Sequence, residues 1–186
     1  MLAAWEVLEL QDAAVSHVIL LSGQIASGKT TLSRLLADRL RYRVVSTRDI
    51  LAHEKQDRLS LQLAGASKDD STAGRWIRDE LVRLRKRNPA DSCFVVDSVR
   101  TSDQVGWVRE TFGESVVHVH LTASLDVLAG RYGSRSEGYR YEEVSNDPVE
   151  QAVGVLASSA DIVIDTTNRS PEVVLGQLAS YAGLVT

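Results

Sequence analysis

The chain has 186 residues, 44% of them hydrophobic and 25% charged, an ordinary balance for a globular protein with room for a substantial core. A formal net charge of −4 provides no general surface for polyanions, so nucleic acid is disfavoured as a partner. Cys93 stands alone, which excludes an internal disulfide or a cysteine-based zinc cluster and points to a cytoplasmic setting.

Residues 1–16 carry Glu6, Glu9 and Asp12 where an export signal would be basic and then apolar, and they read as an N-terminal extension. No apolar stretch approaches the ~20 residues that span a bilayer, so no membrane partner is expected. The run Val18 to Leu21 predicts a buried parallel strand, and Thr31 to Leu40 has the apolar spacing of a helix.

Between them lies Gly23-Gln24-Ile25-Ala26-Ser27-Gly28-Lys29-Thr30, a complete GxxxxGK[ST] pattern. Backbone N–H groups of such a turn, with the unpaired N–H groups at the start of a helix, form a concavity for anions. Gly23 and Gly28 allow the tight turn, Lys29 supplies a point charge, and the Thr30 hydroxyl is placed to ligate Mg²⁺. A nucleoside triphosphate is the natural occupant, and Thr31 completes the stretch that would hold it.

Val44 and Val45 predict a second strand, and Ser46-Thr47-Arg48-Asp49 follows its carboxyl end. Asp49 suits a proton acceptor or a sugar contact, and Arg48 a phosphate clamp; helix capping by Thr47 or Asp49 is the competing reading. Residues 50–92 are long for one crossover and read as an acceptor-binding segment, with the polar stretch Gly65 to Gly74 as a mobile cover between helices. Its second helix is predicted over Ala73 to Arg87, with Arg75 near the start as a candidate for an acceptor phosphate. The cluster Arg83, Arg85, Lys86 and Arg87 reads as a solvated helix face.

Cys93 to Val96 predicts a third strand ending in Asp97, a candidate for Mg²⁺ or for orienting an acceptor, with a turn or helix-cap role as the alternative. Ser98 follows where hydrolytic motors commonly place Glu, which favours transfer to a bound acceptor, and Arg100 is a second phosphate candidate. A helix over Gln104 to Thr111 leads to a strand over Val116 to Leu121, where His118 and His120 share one face and read as core or strand-end histidines.

A helix over Leu125 to Tyr132 leads into Gly133-Ser-Arg-Ser-Glu-Gly138. Residues 131–140 read as a short lid whose Arg131 and Arg135 would bring guanidinium charge to a transferring phosphoryl group. Helices over Val149 to Ala157 and Glu172 to Tyr181 flank a last strand, Ile162 to Ile164, and Pro171 sits where a helix start tolerates it. Strands alternating with helices predict a single α/β domain over 1–186: a three-layer α/β/α fold on a five-stranded parallel sheet, with ligands beyond the strands' carboxyl ends.

Taken together, the loop at Gly23 to Thr30, Val45 to Leu51, Val95 to Arg100, the lid-like Arg131 and Arg135, and Ala160 to Asn168 resemble the nucleoside monophosphate kinase branch of P-loop kinases, including dephospho-coenzyme A kinase-like proteins. The resemblance implies ATP with Mg²⁺ and a small phosphorylated acceptor, with Thr47 and Asp49 at the acceptor, Asp97 and Arg100 beneath the phosphates, and Thr166 to Asn168 beside the donor base. A monomer or homodimer is expected. Many adenylate kinases have Gly where Arg48 stands and Arg where Ala52 stands, so the resemblance does not single out AMP. Two other expectations stand beside it: hydroxyl phosphorylation of a coenzyme precursor, and a nucleotide-sensing module with little turnover.

Overall fold

A computed structural model describes residues 17–51, 58–134 and 140–184. The N-terminal extension, residues 52–57, and residues 135–139 with Arg135 lie outside the described residues. Five strands form one sheet: β1 (His17–Gly23), β2 (Arg43–Val45), β3 (Cys93–Val96), β4 (Val116–Thr122) and β5 (Ile162–Asp165). Every pairing is parallel, in the order β2-β3-β1-β4-β5.

The helices are α1 (Lys29–Leu40), α2 (Thr47–Leu51), α3 (Arg58–Thr72), α4 (Trp76–Arg87), α5 (Ser102–Phe112), α6 (Leu125–Gly133), α7 (Tyr141–Ser145), α8 (Pro148–Val155) and α9 (Pro171–Ala182). None of them is long and apolar enough to cross a membrane.

Helices cover both sheet faces because the inner strands are apolar on both. Along β1, Val18 and Leu20 pack with Phe94, Val96, Ile77, Leu81, Val105 and Val108, under α4 and α5. Ile19 and Leu21 turn the other way and pack with Val95, Val119, Leu32, Leu36, Val174 and Leu178, under α1 and α9. The two-residue period of a strand thus supplies two cores, each fully buried aliphatic contributing about 1.5–3 kcal/mol.

Helix ends follow local chemistry. At the start of α9 the Ser170 hydroxyl accepts the Val173 N–H, Pro171 takes the first position, and Gly183 closes the helix at φ 63°. At α5 the Thr101 hydroxyl accepts the Gln104 N–H at 3.2 Å.

The polar stretch expected to be a mobile cover departs from expectation: α3 continues through Thr72, and the chain turns only at Ala73 (φ 51°) and Gly74 (φ 77°). Gly65 fits there because a Cβ on it would only touch Leu51 at 3.5 Å, while Asp69 is drawn inward by the Trp76 indole at 2.7 Å. The same turn delays the start of α4 from Ala73 to Trp76. The basic cluster also divides, since Arg85 is buried and donates to the Asp91 carbonyl, whereas Arg83 pairs with Glu80 at the surface.

From β1 the chain passes to the far edge, returns through β3, and then continues on the opposite side of β1. The carboxyl end of β1 is therefore a topological switch point, where open α/β sheets leave a crevice.

Candidate active site

The turn joining β1 to α1 is a cradle fixed by backbone conformation. Gly23 has φ 134° and Gly28 φ 104°, and a Cβ on Gly23 would lie 2.2 Å from the Leu121 carbonyl oxygen. The Ser27 N–H donates to the Gln24 carbonyl at 3.2 Å, closing the turn. Lys29 Nζ folds back and donates to the carbonyls of Gly23 at 2.6 Å and Gln24 at 2.9 Å. Among the described residues no side chain caps the start of α1, so the positive end of a 12-residue helix opens on the cradle.

From the cradle a cleft of about 580 Å³ runs toward α3 and α8. Asp97, at the end of β3, accepts from the Thr47 N–H at 3.2 Å and its hydroxyl at 3.5 Å. Burial pushes the Asp97 carboxyl above the usual carboxylate range, opposed by the Thr47 N–H and by the charge of Lys29. Arg100 donates its backbone N–H to Gln104 Oε1 at 2.8 Å, and Gln104 Nε2 donates in turn to Asp69. Glu150, 3% exposed, reaches in from α8: its Oε2 accepts the Ile25 N–H at 2.9 Å, and its Oε1 lies 3.5 Å from Arg100 Nη1.

A second cavity of about 390 Å³ lies on the other side of the loop, lined by Ser27, Arg131, Thr166, Arg169 and Pro171 among others. Arg131 is held there, donating to the Thr166 hydroxyl at 2.9 Å, the Thr166 carbonyl at 2.8 Å and the Ala26 carbonyl at 3.5 Å. Its charge thus sits behind the loop, toward α9.

Beneath the loop, Ser22 Oγ lies 2.7 Å from His118 Nε2 and 2.9 Å from His120 Nδ1, all three residues being buried. Burial pushes the His118 imidazole down to about 4, with Arg109 adding to the effect and Asp161 opposing it. His120 is lowered by burial and by Lys29. Both are buried, so of the two readings the core one holds.

The structure brings most of the expected residues to one cleft. Gly23, Ile25, Ala26, Gly28, Lys29, Thr30 and Thr31 line it from the loop, and Thr47, Arg48, Asp97 and Arg100 from beyond the neighbouring strands. Gln24 contributes its carbonyl to Lys29, and Ser27 opens on the second cavity.

Arg131 lines only the second cavity, and three further candidates line neither. Arg75 is displaced from the cleft because its guanidinium stacks on Trp107, 5.6 Å from the ring centre, and its Nε donates to the Thr72 carbonyl. Asp49 is exposed and outside the cleft wall; the cap of α2 is Ser46, whose hydroxyl accepts the Asp49 N–H at 3.1 Å. Asn168 forms the turn after β5 at φ 53° and lines neither cavity.

The sequence reading missed Glu150, Gln104, Asp69 and Trp76, all of which line the cleft. Asp147 followed by Pro148 was the available signal for a helix start that would aim Glu150 inward.

Residues 19–151 match the AAA domain family. A cytidylate kinase from Haloarcula marismortui is 31% identical over 137 residues, covering 73% of this chain, which spans 62% of that relative's length. Among solved structures, a sugar kinase from Janibacter sp. HTCC2649 superposes with a TM-score of 0.61 at 16% identity, covering 91% of this chain and 96% of the other. A shikimate kinase from Bacteroides thetaiotaomicron gives 0.59 at 16% identity, with 90% and 99% covered. At such identities these two establish the three-layer kinase fold.

Proposed function

This chain belongs to the AAA domain family, among P-loop kinases that resemble nucleoside monophosphate kinases, and on that footing we propose that it moves the terminal phosphoryl group of ATP, with Mg²⁺, onto a nucleoside or deoxynucleoside monophosphate. The observation that carries the reading is the continuous cleft from the anion cradle at Gly23–Thr31 to Thr47, Asp97 and Arg100, with room for an acceptor against Trp76. The cytidylate kinase relative makes CMP the first acceptor to test.

The cradle fits a triphosphate, because its leading glycine admits no Cβ and an uncapped helix start faces it. Thr30 and Asp97 line the same cleft and would hold Mg²⁺, an ion that takes one or two protein oxygens and completes its shell with water and phosphate. When bound, Mg²⁺ neutralises charge on the phosphate oxygens.

The chain's own residues do the rest by position and charge. Lys29, now on two loop carbonyls, is within the cradle to meet the β and γ phosphates. Arg100 and Arg48 border the acceptor side, and Asp97 orders Thr47 beside it. The cavity holding Arg131 and Thr166 would take the donor base, and Arg135 would act from the lid segment.

A coupled assay of ADP formation with CMP, AMP, UMP, GMP, their deoxy forms and dephospho-coenzyme A tests the reading. ADP release that requires one of the monophosphates is expected. Turnover on dephospho-coenzyme A with none on the monophosphates overturns it. That second outcome has one observation in its favour: Glu150 already pairs Arg100, which lessens the charge available to an acceptor phosphate.

A further inference from the structure

Glu150 stands in the first turn of α8, where a carboxylate is favoured by the helix dipole and often serves its own helix end. Here that task is taken: Asp147 Oδ1 accepts the Val149 N–H at 2.8 Å, and Pro148 has no N–H to satisfy. The Glu150 carboxylate instead leaves its helix and crosses to the phosphate loop. There it accepts the Ile25 N–H through Oε2 and faces Arg100 through Oε1, while Arg100 itself remains 39% exposed to the cleft.

A loop N–H and a guanidinium are both groups that bind phosphate oxygens. Both are engaged here by an anion of the chain itself. The Arg100 backbone N–H separately donates to Gln104, which donates to Asp69, and Asp69 also accepts the Trp76 indole N–H, so the residue that bears the guanidinium is tied to α3 and α4.

We propose that Glu150 is a positioning residue, an internal counter-anion that ties down the turn at Ile25 and holds Arg100 ready, and that releases the guanidinium to the phosphate of an incoming acceptor. Glu150 thereby sets how strongly the acceptor side attracts anions and links that side to the shape of the loop. The inference rests on the kinase reading above only for the identity of the acceptor. A carboxylate opposite a guanidinium competes with every other anion for it, so removing the negative charge without changing shape raises anion affinity at Arg100. Truncating the side chain also removes the tie on Ile25 and disturbs the nucleotide cradle.

Titration calorimetry of the full chain with ADP, with inorganic phosphate and with CMP separates these effects in E150Q, E150A and the double variant E150Q/R100A. E150Q is expected to bind phosphate about fivefold tighter or more, with ADP within about twofold of the parent, because the amide keeps an acceptor for the Ile25 N–H while the counter-charge facing Arg100 is lost. The gain is expected to vanish in E150Q/R100A. E150A is expected to weaken ADP about threefold or more through loss of the Ile25 contact. Phosphate affinity unchanged or weakened in E150Q, or a gain that persists without Arg100, overturns the proposal. If CMP fails to bind every variant while phosphate and ADP behave as expected, the acceptor reading falls and the role of Glu150 stands.

Discussion

At Gly23 two constraints meet that no other residue satisfies: φ is 134°, and the position of a Cβ is already occupied by the Leu121 carbonyl oxygen. The obstruction is backbone of the neighbouring strand, so it cannot rotate away. Gly23→Ala is therefore expected to separate β1 from β4 at the loop and to abolish ADP binding, with thermal melting lowered; a variant that binds ADP with parental affinity refutes the geometry. Arg131 leads to a different experiment. With its guanidinium on Thr166 and Ala26, Arg131→Ala is expected to weaken ADP about tenfold, the effect of losing hydrogen bonds to a charged group, while turnover at saturating ATP falls less. A loss confined to turnover would return Arg131 to the transition-state role that its place in the sequence suggests. The loop residues were legible because their spacing has one mechanical meaning. Glu150 was not, because an acidic residue early in a helix looks the same whether it caps its own helix or crosses to another element.

Among the elements, the strands were legible nearly to the residue, since short β-branched runs between polar turns admit little else; Cys93–Val96 matches its expected bounds. The stretch before α4 was not legible. Gly65 and the polar residues after it have turn-like composition, and only the tertiary contacts of Asp69 with Trp76 and Gln104 explain why helix persists there. Between β1 and β4, Ser22 has one hydroxyl proton for two imidazoles, so one ring accepts from it and the other donates to it. A second proton on the accepting ring would leave the hydroxyl no ring nitrogen to donate to. His118 takes up its proton near pH 4 in the folded chain and near 6.5 when unfolded, so between those values the unfolded chain carries the extra proton and stability falls as pH falls. Lowering pH from 7.5 to 5 is expected to cost on the order of 2 kcal/mol from His118 alone. His120, also lowered, acts in the same direction, and Asp97, whose carboxyl is raised, acts against it. Guanidinium denaturation at the two pH values measures the difference, which should shrink in His118→Gln; equal stability at both removes the claim.

For the whole molecule, the strand order determines where chemistry can occur. Because β1 lies between β3 and β4, the loop after it, the Asp97 turn after β3 and the Thr166 turn after β5 open on the same end of the sheet, although they are far apart in sequence. Both cores are anchored on β1, one under α4 and α5 and the other under α1 and α9, so the cradle is joined to the two halves of the apolar interior. A ligand in the cradle that binds only the folded chain must therefore stabilise the fold through mass action. At a concentration about 100 times its Kd, ADP with Mg²⁺ is expected to add about 2.7 kcal/mol to the unfolding free energy, with a corresponding rise in Tm. Lys29→Ala removes no member of either core and takes away hydrogen bonds to two loop carbonyls, so its ligand-free Tm should stay near the parent's. At the same ADP concentration its Tm rise should be largely lost. A full rise in Lys29→Ala would show that the nucleotide binds somewhere other than this loop, and a large fall in its ligand-free Tm would show that the lysine's hold on Gly23 and Gln24 is part of the fold itself.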